Sequence, residues 1–305
     1  MNTNKFAIPN ANLSGLFTGQ VIRNRFELCI FQVMISVLLL TAFTGMACAL
    51  ELPTAETLEH QYGLHRQAIS IAEPHLSTKD RPVFVRYTGL PMNDLLTQWF
   101  GDSWSSPDNE IVFFARDGYH SAISTSKLKT YSAYLTFGRD DGAAFVIDNS
   151  EENQKHIFLD PYYLVWDNRS APDLLRQGSY GWPYQITRIE LHRITDDKFL
   201  LPPNATKDEA QGFGEAKEYC LTCHRIKDFG GEKYPEDLVQ ASCRWTDIEL
   251  KAWIDNPYQV RTGTAMPPLN KMLAANERRG VIERIVRYLN AMKKGNPNIC
   301  ANGSK

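Results

Sequence analysis

The sequence predicts an α+β, mainly β domain followed by an all-α domain. Residues 51–197 contain short apolar alternations bounded by turn residues, whereas residues 212–305 place apolar side chains at helical spacing. Between them, residues 198–211 shift to proline and polar side chains, which is typical of a linker. The length of 305 residues also favours two domains.

The composition is that of an ordinary globular protein. The hydrophobic fraction is 43% and the charged fraction is 22%, which leaves ample apolar surface for a core. The formal net charge is only −2, so we expect no nucleic-acid partner.

Residues 1–49 are predicted to be a cleaved signal peptide. A basic start is followed by an uncharged apolar stretch, which ends in small residues on both sides of Cys48. Two alternatives stay open: the stretch could remain as an N-terminal membrane anchor, or Cys48 could carry a lipid. All three place the rest of the chain outside the cytoplasm, so we expect a periplasmic protein.

The first domain is predicted to begin with a helical segment over residues 51–75, with Pro74 as a stop. A strand in "RPVFVRYTG" and a helix in "LPMNDLLTQWFG" follow. Two hairpins are expected around Asp117-Gly118 and Asp141-Gly142, because Asp-Gly favours a tight turn. The segments "YYLVW" and "YQITRIELHRI" are predicted strands, the second with alternating apolar residues.

Helices dominate the prediction for the second domain. "GFGEAKEYC" is amphipathic, and "TDIELKAWIDNP" begins with a capping box, Thr246 with Glu249, and stops at Pro257. A last helix is predicted from apolar residues at helical spacing, namely Ile282, Ile285, Leu289 and Met292.

The stretch "YCLTCHRI" carries the strongest chemical signal. A C-x-x-C-H pattern is typical of covalent haem attachment, in which Cys220 and Cys223 would bind the two vinyl groups and His224 the iron. A thioredoxin-like redox pair needs no following histidine, and a zinc site needs two further ligands at close spacing. We therefore expect one covalently bound haem c.

The second axial ligand of the iron has to come from further along the chain. No histidine follows His224, which excludes a bis-histidine haem within this domain. Met266, stiffened by the two prolines after it, is the expected thioether ligand of the iron, and Met272 is expected to pack in the core. A haem without a sixth protein ligand stays open as an alternative.

The chain from "GFGEAKEYC" to its last helix resembles a class I cytochrome c. The C-x-x-C-H motif, a proline loop, a tryptophan helix, "AMPP" and a helix with "YL" occur in that family's order. The resemblance implies that Gly212 and Tyr288 meet where the first and last helices cross. It also implies that the Pro235 carbonyl accepts a hydrogen bond from the axial histidine and that Trp253 packs at the haem edge.

Two cysteines of the second domain, Cys243 and Cys300, lie outside the haem motif. In an oxidising compartment two such thiols in one small domain usually pair. We expect a disulfide between them, with a free pair of thiols as the alternative.

The first domain resembles the molybdopterin-binding fold of sulfite oxidase-like oxidoreductases. The resemblance covers residues 82–195 and rests on "YTGLPMNDLL", "FARDGYHSAIS" and "YGWPYQITRIELHRI" in that order. In that family a cysteine thiolate binds molybdenum, but no cysteine occurs between Cys48 and Cys220. We therefore expect a degenerate domain that keeps the fold without the molybdenum cofactor.

The histidines of the first domain offer no ligand-spaced pair. Each of them is expected to be a surface histidine or a satisfied core histidine: His60, His65, His75, His120, His156 and His192. Beside the Asp-Gly turn, His120 and Arg116 are the only polar candidates for a site.

These features predict an electron carrier without catalytic residues rather than an enzyme. We expect a periplasmic monohaem c-type cytochrome, whose first domain docks to a periplasmic redox protein and whose haem exchanges electrons at an exposed edge near the thioethers. Two alternatives stay open. One is a cytochrome subunit of a periplasmic dehydrogenase complex, and the other is a molybdenum-dependent oxidoreductase that passes electrons to its own haem.

Overall fold

The computed structural model of the chain describes residues 49–301, which belong to one compact unit. The predicted signal peptide or anchor, with the Cys48 lipidation site, lies outside the described residues except for Ala49. No helix within 49–301 combines the length and the apolar character that crossing a bilayer requires.

The first part of the chain is built mainly from strands. Its strands are β1 (Ala49–Glu51), β2 (Gln67–Ala72), β3 (Phe84–Pro91), β4 (Asn109–Ala115), β5 (His120–Ser124), β6 (Ala133–Arg139), β7 (Val146–Asn149), β8 (Gln154–Phe158), β9 (Tyr163–Trp166) and β10 (Ile186–Arg193). Its α-helices are α1 (Ala55–Tyr62), α2 (Met92–Phe100) and α3 (Thr125–Thr130). Two antiparallel sheets have the orders β1-β10-β4-β5 and β2-β3-β6-β9, and β7 pairs with β8.

Several predicted elements are confirmed, among them β3, α2, β9 and the β4–β5 hairpin around Asp117-Gly118. The predicted strand in "YQITRIELHRI" is β10, with an irregularity between Ile186 and Arg188. This shift of register lets Ile186 and Ile189 both be fully buried, although they are three residues apart.

Two predictions for the first part are wrong. The helix expected within residues 51–75 ends at Gly63, which takes a left-handed conformation, and the chain then continues as the strand β2. The hairpin expected around Asp141-Gly142 does not form. Both of its strands exist, but β6 pairs with β3 and β9.

The second part of the chain is mainly helical. Its elements are α4 (Lys207–Tyr219), β11 (Arg225–Ile226), β12 (Phe229–Gly230), α5 (Leu238–Ser242), α6 (Asp247–Asp255), α7 (Pro257–Val260) and α8 (Ala275–Gly295). The predicted capping box of Thr246 and Glu249 is present at α6. The short β11–β12 hairpin is a departure from the predicted all-α class, so the whole structure is best described as α+β.

The predicted linker at 198–211 is shorter than expected. Leu200 is fully buried among the apolar residues of the helical part, and α4 already begins at Lys207, where Thr206 and Glu209 form a second capping box. The hydrophobic core divides at the same place, into one cluster before Leu200 and one from Leu200 onwards.

The crossing of α4 and α8 depends on a glycine. A Cβ atom on Gly212 would lie 2.2 Å from the backbone oxygen of Arg284 and 3.0 Å from Cβ of Tyr288. The Tyr288 hydroxyl donates to the backbone oxygen of Leu200 at 2.8 Å. The expected meeting of Gly212 and Tyr288 is therefore confirmed.

We expect the Gly212→Ala variant to lose about 1–3 kcal/mol of unfolding free energy, because the added methyl group forces the two helices apart. Gly214 on the same helix is the matched control, since a Cβ there meets no atom within 4 Å. Gly214→Ala should stabilise the protein by about 0.5–1 kcal/mol through helix propensity. Urea unfolding measures both, and equal effects of the two substitutions would contradict the close crossing.

Two lysines of the helical part form ion pairs with carboxylates nearer the start of the chain. Nζ of Lys217 lies 2.7 Å from Oε1 of Glu110 and also contacts Asp197. Nζ of Lys233 lies 2.9 Å from Asp117 and 2.7 Å from Glu152. These contacts attach the helical part to the strands.

The carboxylates around Lys217 sit in unlike environments. Burial raises the pKa of Glu110 above its ordinary value, although Lys217 opposes this. Burial also acts to raise the pKa of Asp197, but hydrogen bonds from His192 and Lys217 outweigh it, so that pKa lies below its ordinary value. Ligand atoms of Glu110, His192 and Asp197 lie within 4.8 Å of one another, as in a metal site. The Lys217 ammonium group already supplies the positive charge there.

Candidate cofactor-binding site

The C-x-x-C-H motif forms a tight turn directly after α4. The backbone oxygen of Cys220 accepts hydrogen bonds from the N–H groups of Cys223 (3.2 Å) and His224 (2.9 Å). The N–H of Gly231 donates to the backbone oxygen of His224 at 2.9 Å. A Cβ atom on Gly231 would lie 2.2 Å from the oxygen of Thr222, so only glycine fits against the motif.

The β4–β5 hairpin touches the motif and the loop that follows it. The N–H of His120 donates to the oxygen of Thr222 at 2.8 Å, and the N–H of Glu232 donates to the oxygen of Gly118 at 2.7 Å. Gly118 has a φ of 84°, and a Cβ atom there would meet the Glu232 backbone at 2.9 Å. The turn predicted at Asp117-Gly118 thus closes the β4–β5 hairpin and also contacts the loop after the C-x-x-C-H motif.

A cavity of about 510 Å³ lies between the two parts. It is lined by the four predicted haem-binding residues, Cys220, Cys223, His224 and Met266. The helices α6 and α8 add apolar side chains, Leu250, Ile254, Ile285 and Leu289. The first part of the chain adds a mainly aromatic wall, which includes His75, Tyr119, Tyr180, Trp182 and Tyr184. The volume of the cavity falls within the range of about 300–1,000 Å³ that is usual for ligand sites.

Burial keeps the ligand candidates of the motif neutral. It lowers the pKa of His224 to about 4, so the imidazole has a lone pair for a metal. Burial raises the pKa of Cys220 and of Cys223 to about 12, so both are thiols. The ring of Tyr234 stacks on that of His224 with 5.0 Å between centroids.

The loop that carries Met266 is held at both ends. The N–H of Met266 donates to Oγ1 of Thr264 at 3.2 Å, and the Tyr180 hydroxyl donates to the oxygen of Pro268 at 3.3 Å. The half-buried Met266 lines the cavity. Met272 is half-buried elsewhere, next to Gly178.

The two residues that the cytochrome resemblance placed around the haem also line the cavity. The ring of Trp253 stacks on Trp245 with 5.2 Å between centroids. Pro235 is exposed but reaches the cavity wall. Within residues 49–301 no hydrogen bond joins the His224 ring to Pro235, and the stacked Tyr234 is the ring's aromatic partner.

Cys243 and Cys300 form a disulfide, with 5.5 Å between their Cα atoms. It ties the chain after α8 to the end of α5. Cys220 and Cys223 are free thiols.

The polar candidates beside the Asp-Gly turn do not line the cavity. His120 packs its ring on Phe114 at 4.4 Å, and Arg116 is exposed near Asp160. His75 is buried and hydrogen-bonded to Glu73, as expected of a satisfied core histidine, but it also lines the cavity, which the sequence did not predict. A glutamate two residues before it was the only available signal, and that pattern is common in proteins without a site.

No protein-family model matches the chain, and no curated protein matches it.

Proposed function

We propose that the chain is a periplasmic c-type cytochrome that binds one haem covalently and transfers single electrons. The observation that carries this proposal is the single cavity lined by Cys220, Cys223, His224 and Met266. Met266 lies 42 residues after His224 in the sequence, and the fold brings it to the same cavity.

The donor set fits a haem with histidine and methionine ligands. The thiols of Cys220 and Cys223 would form the thioethers, and the neutral His224 imidazole and the Met266 sulfur would bind the iron. Bound haem supplies a one-electron couple. Leucine and isoleucine side chains of α6 and α8 exclude water from the site, and a dry site with a thioether ligand favours ferrous iron.

One exposed cation is available for the acidic groups of a haem. Arg261 lines the cavity with its guanidinium 5.5 Å from the ring centroid of Trp253. It pairs with no carboxylate among the described residues. Arg244 also lines the cavity but is already paired with Glu236.

We assign the helical part to the class I cytochrome c fold and the first part to the sulfite oxidase-like fold. The crossing at Gly212 and the position of Met266 support the first assignment. The aromatic wall of the first part contains no cysteine, so it offers no thiolate to hold molybdenum. The first part is then a docking module, and a periplasmic redox protein is its partner.

The aromatic wall changes the expected path of electrons. Tyr119 and Tyr180 are half-buried, and burial together with the neighbouring cysteines, Cys223 for Tyr119 and Cys220 and Cys223 for Tyr180, raises the pKa of both phenols. The first part of the chain therefore covers the thioether side of the site, which the sequence analysis expected to be exposed. Electrons would enter or leave through this wall or through the opposite side of the helical part.

The test is to produce the chain in a periplasm that supplies both haem and molybdenum cofactor. We expect covalent haem, seen as a mass increase of one haem and about one iron per chain without molybdenum. The double variant Cys220→Ala, Cys223→Ala should carry no covalent haem, whereas Cys243→Ala, Cys300→Ala should keep it. Equal haem in both double variants would refute the proposal, and molybdenum near one per chain would favour the molybdenum-dependent alternative.

The Met266→Ala variant tests the sixth ligand. We expect a lower reduction potential and new binding of exogenous ligands such as imidazole, because the thioether is lost. Met272→Ala is the matched control and should leave the potential unchanged. Voltammetry and absorbance titration measure both effects, and an unchanged potential in Met266→Ala would mean that Met266 does not bind the iron.

A further inference from the structure

A buried acid–histidine pair lies just after β2. Glu73 has no exposed surface, and the side chain of His75 is 4% exposed. Nδ1 of His75 lies 2.8 Å from Oε1 of Glu73. The hydroxyls of Tyr163 and Tyr87 donate to Oε1 and Oε2 of Glu73 at 3.0 and 2.8 Å. Both oxygens of the carboxylate are therefore held in place.

This arrangement fixes the histidine ring. A carboxylate only accepts hydrogen bonds, so Nδ1 of His75 donates its proton to Glu73. In the neutral ring Nε2 then carries the lone pair, as in a general-base histidine that a carboxylate orients. Within residues 49–301 every hydrogen bond of the His75 ring falls on Nδ1. Because His75 lines the cavity, its Nε2 atom is available to accept a hydrogen bond from a ligand in the cavity.

The surrounding wall is aromatic and offers no free cation to an anion. Trp182 and Tyr184 line this end of the cavity, and the Tyr184 ring centroid lies 5.6 Å from that of His75. Of the described residues before 200 that line the cavity, the acidic ones are Asp117, Glu151 and Glu152, and none is a lysine or arginine. Asp117 and Glu152 are already paired with Lys233, so this end has no free cation for an oxyanion, whereas a neutral ring can pack on the aromatic side chains.

We propose that this end of the cavity binds a small phenol-type molecule, whose hydroxyl donates a hydrogen bond to Nε2 of His75 and whose ring packs against Trp182 and Tyr184. The site lies in the same cavity as the proposed haem but uses none of its four expected ligands, Cys220, Cys223, His224 and Met266, so it goes beyond the proposed function. It gives the first part of the chain a ligand of its own.

The test is calorimetric titration of the full-length, haem-loaded protein with phenol. We expect one phenol per chain, with about tenfold weaker binding to the His75→Phe variant through loss of the hydrogen bond. His65→Phe changes an exposed histidine outside the cavity and should keep wild-type binding. Circular dichroism shows whether each variant is folded.

Nitrogen NMR of the wild-type protein measures the tautomer of the His75 ring directly, so this test does not depend on whether a variant folds. We expect a His75 ring protonated at Nδ1, with the Nε2 signal shifting when phenol is added. Glu73→Gln should weaken phenol binding, because an amide can also donate to Nδ1 and so releases the ring from this tautomer.

Four results would overturn the proposal: no phenol binding, equal binding to His75→Phe, tighter binding of benzoate or benzylamine than of phenol, or a changed iron ligation in His75→Phe. The last result would make His75 a haem ligand instead. Haem absorbance is recorded for every sample. A protein without haem would contradict the proposed function, and the comparison of the wild type with His75→Phe would still test whether phenol binding depends on His75.

Discussion

Replacing Lys217 by methionine lowers the free energy of unfolding by about 3–5 kcal/mol at pH 7, because two buried carboxylates lose their cation. The Lys217 side chain is 14% exposed, and those of Glu110 and Asp197 are 5% and 4% exposed. Water therefore cannot replace the lost ammonium group. Urea unfolding gives the free energy, and Lys207→Met, at an exposed site on the same helix, is the matched control.

The loss in Lys217→Met should be smaller at pH 5 than at pH 7. Burial already raises the pKa of Glu110 in the folded protein, and removing Lys217, which lowers that pKa, raises it further. A carboxyl group whose folded pKa lies above its unfolded pKa binds a proton more readily when folded, so stability increases as the pH falls. Equal losses in Lys217→Met and Lys207→Met at pH 7 would mean that the buried ion pairs do not hold the protein together.

Removing the disulfide should have an effect of similar size. The bridge joins residues 57 apart in sequence, and closing a loop of that length stabilises a protein by about 4 kcal/mol. The Cys243→Ala, Cys300→Ala variant should therefore melt about 10 °C below the wild type. The bridge connects the chain after α8 to α5, so the loss falls on the helical part that would hold the haem.

A reducing agent provides the control for this variant. Wild-type protein treated with a reductant should melt at the temperature of the double variant, and the double variant should not respond to the reductant. An unchanged melting temperature in the variant would mean that Cys243 and Cys300 are not bridged in the mature protein.

The sequence was most informative where short patterns have local physical causes. The Thr246–Glu249 capping box, the apolar spacing of α8 and the Asp117-Gly118 hairpin all formed as predicted. Strand pairing was harder, because alternation in β6 and β7 shows that strands exist but not which neighbours they take. The register of β10 likewise depends on a bulge that alternation does not reveal.

The candidate site was predictable for its motif and not for its surroundings. Cys220, Cys223 and His224 are adjacent in sequence, and their spacing alone indicated the chemistry. His75 reaches the same cavity from 145 residues earlier, and only the packing of the two parts brings it there. The role of Lys217 could not be predicted either, because its partners lie far away in the sequence, in β4 and in the chain after β10.

The aromatic wall over Cys220 and Cys223 also bears on how such a protein is made. Enzymes that join haem to cysteines need access to both thiols, and in the folded chain those thiols face a cavity that Tyr119 and Tyr180 of the first part also line. If haem is attached there, attachment has to come before the two parts close, and the ion pairs of Lys217 form afterwards. On the proposed function, the fold therefore requires an order of assembly, in which the haem is attached first and the two parts of the chain pack together afterwards.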